Sequence, residues 1–278
     1  MVSINSNYAA NFAAKAARQT TTELNSAMEK LSTGKRINYA RDDAAGQAIS
    51  VRLTAEIQGL AMASRNASDG QAMIDTIEGA LMETQTLLLR MRELAVQASN
   101  GTLAAADRAS LQIEAASLEE EITRIAQTSS WAGQNLLDGS LSDGITFQAG
   151  TKEGAGNLIT ISVGEMSVAS ATISYTAGFT IGAFTNAQSA ITQIDAALSG
   201  VSEVRGKLGG ISNRLNSTIA NMDQVRVNLQ ASQGRIADAD FAVETGNLAK
   251  NQILQQAATA MIAQANASKN SVLNLLRG

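Results

Sequence analysis

Apolar residues recur at helical spacing over most of the chain, and the C-terminal end shows the pattern most clearly. Seven positions there follow alternating steps of four and three residues, and six of the seven are apolar. They are Leu254, Ala258, Met261, Ala265, Ser268, Val272 and Leu275. This spacing is typical of a coiled-coil seam. Because an isolated helix cannot bury such a seam, the pattern predicts a partner.

The first thirty or so residues show a similar pattern. Ile4, Tyr8, Phe12 and Ala16 lie four residues apart, and Leu24, Met28 and Leu31 follow at steps of four and three. The many alanines would let a second helix approach closely. We therefore expect residues 3–33 to form a helix that pairs with the C-terminal helix, in which Phe241 and Leu248 lie one heptad apart.

Three further helical stretches are predicted between these ends. The first runs from Ala44 to about Asn100, the second follows Asp107, and the third begins at about Asn186 and continues to a joint at Gly234. The first has a seam of Ile74, Ile77, Leu81, Thr84, Leu88, Met91 and Ala95. Gly34 suits a helix C-cap, and the aspartates at 42, 43 and 107 suit N-caps.

Residues 139–185 differ in kind, because glycine is frequent and apolar residues alternate with small polar ones. This period-two pattern predicts strands over Ile145–Ala149, Leu158–Val163 and Thr172–Tyr175. The loop between the first two predicts a hairpin. The fold class that follows is mostly α: a long antiparallel helical bundle or coiled coil, a rod, with paired N- and C-terminal helices and a small β-hairpin region in the middle.

Three residue types are missing from the composition, which contains no proline, cysteine or histidine. Without histidine and cysteine, catalytic triads, thiol nucleophiles and common zinc sites cannot be built. The net charge of −4 and the low aromatic content of 3% argue against nucleic-acid binding. No signal-peptide pattern and no membrane span is apparent. We expect no enzyme, no cofactor, no metal site and no membrane insertion.

Several motifs at both ends resemble those of bacterial flagellins. They are Leu31-Ser-Thr-Gly-Lys-Arg-Ile-Asn38, Asp42-Asp43-Ala44-Ala45-Gly46, Arg92-Glu93-Leu94-Ala95-Val96-Gln97, Asn100-Gly101-Thr102, Arg235-Ile236-Ala237-Asp238-Ala239-Asp240 and Gln252-Ile253-Leu254-Gln255-Gln256-Ala257. The resemblance covers about residues 1–140 and 187–278. It does not extend to the middle, which in this family is the variable part.

The resemblance implies a filament subunit that self-assembles and serves swimming motility. Residues 1–42 and 235–278 would form the inner-core helix pair, residues 43–139 and 186–234 the outer-core bundle, and residues 140–185 a short variable insertion. Implied partners are other copies of the chain, a flagellar chaperone at the C-terminal region, the type III export apparatus, and the filament cap and hook-associated proteins. The filament would be extracellular, and the subunit would be exported without a cleaved signal peptide.

The resemblance also implies recognition by an innate immune receptor and contacts between subunits through Arg90, Leu94, Gln97 and Glu114. Leu89 departs from the family motif, which has glutamine there. Two alternatives to the filament subunit stay open, and only the second is of another class. One is a hook–filament junction protein of the same family, and the other is an exported adhesin or effector. Because the terminal pair has little core of its own, we expect neighbouring copies to complete it and both ends to be disordered in a lone subunit.

Overall fold

The computed structural model describes residues 6–167 and 180–277, with side chains described as far as residue 269. The described residues form five α-helices: α1 (Tyr8–Thr33), α2 (Ala44–Ala98), α3 (Ala105–Thr128), α4 (Phe184–Ala237) and α5 (Phe241–Arg277). They also form four short strands: β1 (Ser130–Trp131), β2 (Gln134–Asn135), β3 (Ile145–Gln148) and β4 (Leu158–Ile161). The predicted mostly-α fold class is confirmed.

The chain divides into two compact units. The terminal unit comprises Met1–Ala55 and Asn228–Gly278, and the central unit comprises Glu56–Val227. Helices α2 and α4 contribute residues to both. The terminal unit thus joins the two ends of the sequence, whereas the central unit is one continuous segment.

Helix α1 packs against α5 in the terminal unit, as the two end patterns predict. Gly34 ends α1 in the left-handed conformation at φ 69°, which confirms its predicted C-cap role because glycine adopts positive φ without strain. The Asp43 carboxylate accepts a hydrogen bond from the Gly46 N–H at 2.9 Å. Asp43 is therefore the N-cap of α2.

The segments that connect the long helices of the terminal unit bind each other through the backbone. The Arg36 N–H donates to the Ala237 carbonyl at 2.7 Å, and the Ala239 N–H donates to the Gly34 carbonyl at 2.9 Å. The predicted joint at Gly234 is wrong, because α4 continues to Ala237. A glycine lowers helix stability by only about 1 kcal/mol, so it does not by itself end a long helix.

The buried face of α2 matches the predicted seam in the central unit. All seven seam positions from Ile74 to Ala95 are at most 3% exposed. Helices α3 and α4 contribute their own buried apolar residues: Ala115, Ile122, Ile125, Ile194, Val201, Leu208 and Leu215. Asp107 is the third residue of α3, not its N-cap, and its carboxylate accepts the Ala104 N–H at 3.1 Å.

Two antiparallel hairpins complete the described part of the central unit. Strands β3 and β4 pair with Ile145 opposite Ile161, so the predicted hairpin is confirmed, although each strand ends before its predicted boundary. The hairpin lies close to α2, since a Cβ at Gly70 would be 3.3 Å from the Phe147 ring. The predicted strand at Thr172–Tyr175 lies outside the described residues.

Candidate assembly surfaces

The most buried side chains of the interface between α1 and α5 are small or polar. Its most buried positions recur every seven residues on each helix: Ala13, Thr20 and Ala27 on α1, and Glu244, Asn251 and Ala258 on α5. Two hydrogen bonds and one ion pair show the antiparallel register. They join Asn7 to the Ala265 carbonyl at 3.3 Å, Gln255 to the Thr21 hydroxyl at 3.2 Å, and Lys30 to Glu244 at 3.3 Å.

Several large apolar side chains of the same two helices are largely exposed. Tyr8 and Phe12 are each 77% exposed, and Met261 is 61% exposed. The other exposed members of the predicted set are Met28, Phe241 and Leu254. Leu24, Leu31, Leu248 and Ala265 are half-buried, and Ala258 is buried.

The seam prediction for α5 is therefore partly wrong. Leu254 and Met261 were expected to bury against the N-terminal helix of the same chain, but both face away from it. The physical reason is that small residues allow the closest approach of two helices, so the alanine and threonine face of α1 forms the contact. Ile4 lies outside the described residues, and Val272 and Leu275 lie beyond the described side chains.

The central unit brings together two of the four predicted receptor and subunit-contact residues. The Arg90 guanidinium lies 2.8 Å from the Glu114 carboxylate and 2.9 Å from that of Glu93. These two carboxylates raise the pKa of Arg90 above its usual value. Gln97 is exposed on the same helix, whereas Leu94 is only 1% exposed. A partner at this surface would meet Arg90, Gln97 and Glu114, but not the Leu94 side chain of this conformation.

An exposed apolar stripe on α2 was missed in the sequence. Met82, Leu89 and Val96 are seven residues apart, and about half of each side chain is exposed. They directly follow the buried positions Leu81, Leu88 and Ala95 in the chain. The signal was therefore present as a second heptad set, displaced by one residue from the seam.

Ion pairs between distant segments of the central unit gave no sequence signal. Arg92 Nε donates to Asp195 at 2.7 Å, and Arg205 Nε donates to Glu78 at 2.7 Å. The arginine at 92 also lowers the pKa of the Asp195 carboxyl. These pairs link α2 to α4.

The described residues contain neither a helix apolar and long enough to cross a membrane nor a cluster of three potential metal ligands. What remains as a candidate site is a pair of long terminal helices with large apolar side chains on their outer faces. Such a molecule is built for contact with other protein surfaces. The fold and its surfaces thus define a helical structural protein.

Comparison with known families places the chain within that class. Residues 4–142 match the model of the bacterial flagellin N-terminal helical region, and residues 191–276 match that of the flagellin C-terminal helical region. A flagellin from Halalkalibacterium halodurans is 48% identical over 251 residues, which are 90% of this chain and 91% of the relative. Flagellin FlaB1 from Treponema pallidum is 38% identical over 99% of both chains.

The chain belongs to the bacterial flagellin family. This is a family of structural proteins that form the extracellular flagellar filament, so the chain is a filament subunit and not an enzyme. A solved structure of a flagellar hook-associated protein from Vibrio parahaemolyticus has a similar fold, with a TM-score of 0.61. It is 16% identical, and the match covers 71% of this chain and all of that one.

Proposed function

We propose that this chain assembles with copies of itself into a tubular filament through the outer faces of α1 and α5. The observation that supports this most directly is the exposure of Tyr8, Phe12 and Met261. The side chains that these two helices bury most deeply between them are instead small or polar. Large apolar side chains at such density are unusual on the surface of a soluble monomer. Contacts with neighbouring copies would remove them from water.

Burial of these exposed side chains between copies would stabilise the assembly. Fully burying one large apolar side chain contributes about 1.5–3 kcal/mol, and each subunit has at least six such side chains on α1 and α5. When one surface of a chain binds a different surface of the next copy, each added copy offers the same free surface again. The series closes into a ring only if the rotation between successive copies brings the last one back to the first. Repetition along a helix would then produce a filament whose rotation drives swimming.

The two parts of the subunit would have different roles in the filament. Residues 1–42 and 235–278 would line the inner tube, residues 43–139 and 186–234 would form the outer tube, and residues 140–185 would be a short insertion on the outside. The supporting feature is the pairing of the two chain ends in one unit, with the hairpins in the other.

The proposed partners before assembly are a chaperone that binds the C-terminal region and the type III export apparatus. No cleaved signal peptide would be needed. The absence of proline and cysteine suits passage as an unfolded chain, because neither prolyl isomerisation nor disulfide exchange would slow refolding. The filament cap and hook-associated proteins would be the partners during growth.

The surface around Arg90 is the proposed contact for neighbouring subunits and for an innate immune receptor. Arg90, Gln97 and Glu114 are exposed there, and Leu89 adds a half-exposed apolar side chain. A role for Leu94 would be to support this face of α2 from beneath.

Assembly can be tested with a single charge on the outer face of α5. Met261→Asp places a carboxylate where burial is proposed, so seeded polymerisation of the purified chain should fall at least tenfold. Gln256→Asp adds the same charge at an exposed polar position of the same helix and serves as the matched control. Polymer is measured by sedimentation and electron microscopy. Normal filaments from Met261→Asp would refute the proposed interface.

The same assay separates the two related functions. A filament subunit should extend seeds into long filaments by itself, whereas a hook–filament junction protein should stop after short assemblies. Deletion of residues 254–278 should abolish growth in either case. Long filaments from the truncated chain would show that α5 is not the assembly element.

A further inference from the structure

Three of the most buried side chains between α1 and α5 are polar, and the others are alanines. Thr20, Glu244 and Asn251 are 8%, 9% and 5% exposed. The Thr20 hydroxyl is bound within its own helix, to the Ala16 carbonyl at 2.8 Å. Glu244 reaches across to Lys30 of α1 at 3.3 Å. Of these three side chains, only Glu244 therefore forms an ion pair between the helices.

The remaining buried positions do not define a unique register. Ala13 and Ala27 on α1 and Ala258 on α5 are small and repeat at heptad distances. A shift of one helix by seven residues would bring Thr20 to the place of Ala13 or Ala27, and Ala265 or Asn251 to the place of Ala258. The shape of the buried side chains therefore does not by itself exclude a slip by a whole heptad. The backbone hydrogen bonds between the connecting segments, Arg36 to Ala237 and Ala239 to Gly34, oppose such a slip from one end of the pair.

The charged and amide groups make both slipped registers unfavourable. A shift in one direction would bring Glu244 opposite Glu23, so that two carboxylates face each other. The opposite shift would bring Asn251 opposite Lys30 and carry the Glu244 carboxylate past the end of α1. In each case the Lys30–Glu244 ion pair is lost, and in the first case the buried carboxylate also faces a second carboxylate.

We propose that Lys30, Glu244 and Asn251 are positioning residues that, together with the backbone hydrogen bonds between the connecting segments, select one register of the α1–α5 pair. A buried asparagine can fix the register of a coiled coil at the expense of stability. Asn251 has this character, since its side chain is 5% exposed and makes no hydrogen bond within the part of the chain that the structure describes. The inference extends the proposed function, because a subunit in a slipped register would present its outer apolar residues out of step with its neighbours.

The test measures the register directly by pulsed electron paramagnetic resonance. The chain contains no cysteine, so spin labels can be attached only at introduced sites, Asn11→Cys and Ala249→Cys. Both positions are exposed, one on each helix. A one-heptad slip changes the axial separation of the labels by about 10 Å at 1.5 Å per residue. Labelled chains are diluted into unlabelled chains to remove distances between subunits.

The key variant is Glu244→Ala combined with Asn251→Ala, and Gln252→Ala is the control at an exposed neighbouring position. We expect one distance in the labelled parent and the control, and a second distance shifted by about 10 Å in the double variant. Charge exchange provides the rescue. Lys30→Glu and Glu244→Lys should each add the second distance when made alone, and together they should restore the single one.

Distances are recorded both in sedimented polymer and in chains too dilute to polymerise. A single distance in the double variant would overturn the proposal, as would a second distance in Gln252→Ala. The proposal would also be overturned if the labelled parent showed no single narrow distance, both in the polymer and in the dilute chain. If the parent does not polymerise, the assembly proposal fails. The register proposal is then judged on the dilute chain, where the parent must still show one distance and the double variant a second.

Discussion

Replacing Leu81 by alanine should destabilise the central unit much more than the same change at the next residue, Met82. Leu81 is fully buried in the seam of α2, whereas Met82 is 55% exposed. A buried leucine replaced by alanine typically costs about 2–5 kcal/mol, through lost burial and the cavity left behind. A half-exposed side chain away from any such feature usually changes stability by no more than about 0.5 kcal/mol.

The difference can be measured through the one tryptophan of the chain. Trp131 belongs to the central unit, so its fluorescence during urea unfolding reports on that unit. For a unit of this size, a loss of about 3 kcal/mol corresponds to a melting temperature lower by roughly 6–12 °C. Circular dichroism of the folded variants should be unchanged. Equal losses for the two variants, or a loss below about 1 kcal/mol for Leu81→Ala, would refute the assignment of this seam.

Three smaller changes test local features. Gly34→Ala should weaken the end of α1 by about 1–2 kcal/mol because residue 34 has a positive φ, and Gly34→Asn should weaken it by less. Amide exchange in the last turn of α1 distinguishes the two variants. Equal protection of these amides in both variants would contradict the cap. Burial and the neighbouring Glu120 raise the pKa of Glu119, so Glu119→Gln should stabilise the folded chain at neutral pH. That gain should disappear as the pH falls below about 4, where the carboxyl is protonated in both the folded and the unfolded state. A difference between the urea midpoints of parent and variant that stays the same at every pH would contradict it. Arg92→Gln should raise the lowered pKa of Asp195 towards its ordinary value of about 4, as read by carboxyl NMR, and an unchanged pKa would mean that the ion pair does not form in solution. In the parent, Asp195 stabilises the fold above its unfolded-state pKa, and this contribution is lost as the pH falls through the lower folded-state pKa.

Local sequence patterns were sufficient for most of the secondary structure. The heptad stripe from Ile74 to Ala95 identified the buried face of α2, because a continuous apolar stripe at helical spacing marks the face that packs against the core. Gly34 and Asp43 identified helix ends through backbone preferences that act within a few residues. The boundary at Gly234 was wrong because a helix of more than fifty residues tolerates one weak position.

The tertiary structure alone decided which side chains of the terminal helices are buried. Leu254 and Met261 form an apolar stripe, but α5 also has a second stripe of small and polar residues, Glu244, Asn251 and Ala258. Periodicity shows that both stripes exist and does not rank them. The choice depends on the alanine and threonine face of α1, more than two hundred residues away, which fits only the smaller stripe.

Thus the sequence by itself determined the helices, the ends marked by Gly34 and Asp43, the hairpin and the family, since each depends on short-range periodicity or on motifs within a few residues. The three-dimensional structure decided the burial of Leu94 and the ion pairs of Arg92 and Arg205. It also decided the outward orientation of Phe12 and Met261. These features depend on which distant segments meet, and contacts between segments so far apart leave no pattern in the order of the residues.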